Sequence, residues 1–89
     1  MRVTYTPEGQ EPQSWTFDPK RVRQAEAEMM EKRSGLRWDD FVVETKAQRA
    51  SALRVLLWHL TRRQHPALRF EDTPDFYMGE MAVTLDLGE

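Results

Sequence analysis

The spacing of apolar residues shifts along the chain, and each shift marks an element. Val3 and Tyr5 flank Thr4, and Trp15 and Phe17 flank Thr16, which is the every-second-residue pattern of strands. Pro7, Gly9 and Pro12 break regular structure between them. The pattern predicts a β-hairpin over residues 1–17 with a loose connection. A two-stranded ribbon is unstable alone, so the face shared by Trp15 and Phe17 is expected to lie on helices.

Helical spacing follows. Asp18 before Pro19 is a helix start, because the carboxylate can accept from free first-turn amides and proline at the first position loses no needed donor. The sequence predicts a helix over 18–34, with Val22, Ala25, Met29 and Met30 inward and Glu26, Glu28 and Glu31 in water. Ser34 and Gly35 end it. A short helix over 36–45 is expected next, its first turn favoured by Asp39 and Asp40 and its buried side made by Trp38, Phe41 and Val42. Thr45 and Gln48 have capping-box spacing, which opens a long helix over 46–65.

That long helix carries the most information. Leu53, Leu56, Leu57 and Leu60, with Ala50, fall in one sector, while Val55 and Trp58 sit nearly opposite. A helix apolar on two sides is either sandwiched in its own domain or lends one side to a partner. Pro66 ends it. Residues 67–70 read as an extended connector, Thr73 and Pro74 open a short helix over 73–81, and the alternation of Val83, Leu85 and Leu87 predicts a strand or ordered tail over 82–89. The expected fold is α+β and mainly helical, an N-terminal β-hairpin packed on a small bundle of three to four helices within a single domain spanning 1–89.

Composition narrows the function. The 89 residues suffice for one core, and three Trp, four Phe and two Tyr supply much buried area. The absence of cysteine removes disulfides and thiolate chemistry and points to the cytosol. No signal sequence is recognisable at the start, and no apolar run reaches the roughly 20 residues of a membrane span. A net charge of -2 argues against bulk attraction to nucleic acid or anionic lipid.

Candidate chemistry is sparse. His59 and His65 are six residues apart, which does not place two ligands on one helical face. The adjacent carboxylates Glu71 with Asp72 and Asp39 with Asp40 point apart. Glycines form no phosphate loop, and no serine has a nucleophile motif around it. Arg49, Arg54, Arg62 and Arg63 do not form one stripe on the long helix, and Arg62 and Arg63 suit its last turn, where cations offset the dipole. The expectation is a non-enzymatic protein without cofactor or metal, acting through protein contacts. Val55, Trp58, Arg62, Met78 and Met81 are the candidate partner-binding residues, because Trp and Arg anchor interfaces and methionine adapts to irregular ones.

Three stretches carry a resemblance: Gly35-Leu36-Arg37-Trp38-Asp39-Asp40-Phe41, Ala52-Leu53-Arg54-Val55-Leu56-Leu57-Trp58, and Arg62-Arg63-Gln64-His65-Pro66-Ala67-Leu68-Arg69-Phe70-Glu71-Asp72. Together they resemble the small tail assembly chaperones of long-tailed bacteriophages, especially those of actinobacterial hosts. The resemblance spans residues 36–81; Arg37 departs from it, standing where such sequences tend to have a small capping residue. It implies a largely helical, self-associating protein of the host cytoplasm that binds and solubilises the tape measure protein, helps recruit major tail (tube) subunits and leaves before the virion is complete. No catalytic residues come with it. The alternatives are a virion structural protein, such as a head-tail connector, and a small DNA-binding regulator.

Overall fold

The computed structural model describes residues 1–85, so Leu87 and the end of the predicted 82–89 segment lie outside the described residues. The hairpin is present as β1 (Arg2–Tyr5) and β2 (Gln13–Thr16), paired antiparallel with Val3 opposite Trp15. A third strand, β3 (Met81–Thr84), pairs antiparallel with the other side of β1, Val3 opposite Val83, so the sheet order is β2-β1-β3. The two-stranded ribbon of the sequence reading is therefore extended from the far end of the chain. Val3 and Tyr5, on one face of the central strand, are buried as strand alternation requires.

Three helices complete the α+β fold: α1 (Gln24–Ser34), α2 (Trp38–Lys46) and α3 (Ala50–Thr61). The helix predicted over 18–34 is split. Asp18 does cap, accepting from the Lys20 amide at 3.0 Å, but it opens only a 3-10 turn, Pro19–Arg21. Val22 and Arg23 are then extended, and Val22 packs on the core from that geometry. Burying a branched apolar side chain outweighs the propensity for one continuous helix. The interruption also changes the phase of α1: Met30 is buried, whereas Ala25 and Met29 face solvent.

Gly35 ends α1 in the left-handed conformation, φ 74°, with its amide donating to the Glu31 carbonyl. The next helix starts at Trp38, later than the predicted 36, and Arg37 contributes no side-chain cap. Its place is taken from the neighbouring helix, since a Glu31 carboxylate oxygen accepts from the Trp38 amide at 2.7 Å. Phe41 is buried and Trp38 stacks on it at 5.3 Å.

The expected capping box between Thr45 and Gln48 does not form. Thr45 is a buried residue of α2, and Gln48 takes a left-handed φ of 57° in the turn before α3. The long helix consequently begins at Ala50 and ends at Thr61, inside the predicted 46–65. It is the centre of the molecule, with Leu53, Leu56, Leu57 and Leu60 fully buried. Each such side chain contributes roughly 2 kcal/mol of burial free energy. The predicted helix over 73–81 is absent; Phe70–Asp72 and Met78–Glu80 are single 3-10 turns, and Met81 already belongs to the sheet.

Candidate functional site

Among the five candidate contact residues, the structure separates one from the rest. Val55, Trp58 and Met81 are core residues, 1%, 3% and 2% exposed. Both apolar flanks of α3 are covered, which corrects the expectation that Val55 and Trp58 face a partner. The cover on the Trp58 side is the irregular segment after the helix. Trp58 Nε1 donates to the Leu68 carbonyl at 3.1 Å, and the Phe70 ring meets the indole edge-on at 5.5 Å. Trp58 is thus a core tryptophan, packed under residues 68–70. Phe17 from the hairpin side meets His59 at 5.8 Å.

Met78 is the candidate that remains accessible, at 45%. It borders a groove of about 470 Å³ whose apolar lining is Ala50, Pro74, Phe76 and Met78, with Arg54, Glu71 and Asp75 as its charged residues. Beside the groove, Phe76 meets the Tyr5 ring edge-on at 6.1 Å and Thr73 is buried. Tyr77, next to Met78, is 75% exposed. Apolar periodicity puts Ala50 on the buried leucine stripe, whereas it is exposed and lines the groove, and it gives no sign of Phe76, because the groove depends on where an irregular segment crosses a helix.

Arg62 belongs to a different place. Its guanidinium lies over the Trp58 ring at 4.9 Å and 3.6 Å from Glu26, at one wall of a cleft of about 390 Å³. The cleft lies where the end of α3 meets the 3-10 turn and the start of α1. His59 lines it, nearly buried, with Nδ1 3.0 Å from Glu26 Oε1. Burial lowers the His59 pKa below the ordinary imidazole value; the Glu26 hydrogen bond and charge oppose this, and the Arg63 and Arg62 charges add to it. Arg63 Nη1 donates to the Thr16 carbonyl at 3.1 Å, tying the helix end to the outer strand β2.

Sequence spacing relates His59 only to His65, whereas its partner Glu26 stands 33 residues away on another helix. No local spacing could pair them. His65, by contrast, is exposed and takes no part in the cleft. Among the described residues no cluster of acidic and histidine side chains could hold a metal ion, and no helix is long and apolar enough to cross a membrane. No protein-family model matches the chain, and no curated protein or solved structure matches it either.

Proposed function

We propose that this chain is a non-enzymatic protein-binding module of the host cytoplasm, a tail assembly chaperone that grips the tape measure protein and helps recruit tail-tube subunits. The reading rests on the resemblance across residues 36–81 and on one structural observation, the exposed groove bordered by Met78. With both flanks of α3 occupied by the domain itself, the client contact moves from Val55 and Trp58 to this groove. Its mechanism is shielding. An unassembled partner with apolar helical stretches aggregates, and a folded acidic protein that receives one or two of its apolar side chains keeps it in solution. Methionine suits such a role because its unbranched side chain adapts to irregular partners.

Co-expression tests the reading. Wild-type protein is expected to raise the soluble fraction of the tape measure protein, and an Ala50→Glu, Met78→Ser variant to lose that effect while remaining folded. Both positions are exposed, and a carboxylate in the first turn of α3 favours the helix. A client that stays insoluble with the wild type overturns the chaperone reading. A client kept soluble by the folded variant overturns the groove as its site.

A further inference from the structure

The cleft at the end of α3 concentrates positive charge on a chain whose net charge is negative. Four arginines line it, Arg21, Arg23, Arg62 and Arg63, against two acidic residues, Asp18 and Glu26. The surplus is two positive charges on a protein whose net charge is -2. Nor are the carboxylates free to neutralise it fully. Asp18 caps the Lys20 amide, and Glu26 is engaged by His59 at 3.0 Å and by Arg62 at 3.6 Å.

The four arginines differ in what holds them. Elsewhere Arg33, Arg49 and Arg69 each have a carboxylate partner, Glu71, Glu44 and Asp72 respectively. In the cleft, the exposed Arg21 and Arg23 side chains pair with nothing among the described residues, and Arg63 meets only a neutral backbone carbonyl. Arg62 is fixed by its stacking on Trp58 and by the Glu26 carboxylate 3.6 Å away, and its buried Nε and Nη1 atoms have no hydrogen-bond acceptor among the described residues. Two of the four arginines, Arg62 and Arg63, are thus held by the fold, and two, Arg21 and Arg23, are exposed. Such an arrangement is matched to an anion, because guanidinium forks bind oxyanions bidentately and a rigid one loses little entropy in doing so.

We propose that this cleft binds the phosphate group of a small phosphate monoester. The surplus of two charges complements the -1.5 to -2 that a phosphate monoester carries near neutral pH, roughly twice that of a carboxylate. A volume of about 390 Å³ admits a small organic phosphate, and Val22 and Pro66 offer an apolar wall to its body. A nucleic-acid strand would need cations spread along its track. Of the basic residues outside the cleft, Arg33, Arg49 and Arg69 are already paired with carboxylates and Arg54 lies over the Phe70 ring at 4.4 Å. The proposal goes beyond the chaperone reading and concerns a site separate from the Met78 groove.

Titration of the isotope-labelled protein, followed by NMR, with inorganic phosphate, ribose 5-phosphate, succinate and a short DNA duplex tests it. Ribose 5-phosphate is expected to give saturable shifts confined to residues 16–26 and 59–66, binding at least tenfold tighter than inorganic phosphate or succinate. Arg21→Ala with Arg23→Ala should weaken it at least tenfold without moving the thermal midpoint, because both side chains are exposed and unpaired. Arg33→Ala, outside the cleft, should leave the affinity unchanged. Absence of saturable binding, equal affinity for succinate or inorganic phosphate, insensitivity to the Arg21 and Arg23 changes, or tighter binding of the duplex each overturns the proposal.

Discussion

Gln48 and Val83 are 35 residues apart and are joined by a hydrogen bond of 3.0 Å, the Gln48 side-chain oxygen accepting from the Val83 amide. The bond closes the outer edge of β3 with a residue from the turn before α3. Edge strands present unpaired backbone groups that invite another chain, and a side chain placed on one blunts it. The opposite outer strand is treated alike, through Arg63 and the Thr16 carbonyl. Both ends of the central helix therefore hold the sheet.

Gln48 also sits at φ 57°, where a non-glycine residue is strained. Two substitutions separate its roles. Gln48→Ala loses the acceptor and keeps the strained backbone, and is expected to destabilise by about 1–2 kcal/mol. Gln48→Gly loses the same acceptor but suits the left-handed turn, and should recover roughly 0.5–1 kcal/mol of that. Urea unfolding of the two variants measures the difference; equal destabilisation would show that the turn is not strained in solution.

Trp58 offers a second pair. Trp58→Phe keeps an aromatic ring against Phe70 but removes the donor to the Leu68 carbonyl, for an expected loss of about 1–2 kcal/mol. Trp58→Ala opens a cavity and should lose about 3–5 kcal/mol. Chemical denaturation checks both. A Trp58→Ala protein as stable as the wild type would contradict its place in the core.

Thr45 is fully buried, and its hydroxyl has no hydrogen-bond partner among the described residues. Valine has the same shape without the polar atom. Thr45→Val is therefore expected to stabilise the fold by about 1 kcal/mol, read as a higher denaturation midpoint with an unchanged slope. A clear loss of stability would mean that the hydroxyl is bonded in solution.

His59 makes stability depend on pH. Its pKa is lowered in the folded chain, chiefly by burial, so between that value and the roughly 6.5 of an unfolded histidine the unfolded state binds more protons. Stability then rises with pH across that window. The thermal midpoint should be highest above about pH 7 and fall on acidification below about 6.5, until the folded-state pKa is reached. His59→Gln should flatten this portion of the profile, and an unaltered slope in that variant would assign the effect to other groups.

Much of this protein is written locally. The alternation around Val3 and Tyr5, the leucine stripe from Leu53 to Leu60 and the glycine at position 35 each fixed an element through its own neighbours, because strand and helix periods and the left-handed turn are properties of a few consecutive residues. What escaped local reading depended on partners distant in sequence. Val22 broke the first helix because the core accepted its side chain from an extended backbone, and Glu31 replaced a missing cap at Trp38 from the helix before it. The second apolar flank of α3 announced itself in the sequence, but periodicity cannot say what covers a greasy surface. Only the path of residues 66–80 decided that Phe70 and Leu68 seal Trp58 while Met78 stays open, and only the packing of α1 beside α3 brought Glu26 to His59 and gathered four arginines in one cleft. Burial and charge are sums over neighbours in space, and those neighbours exist only once the chain has folded.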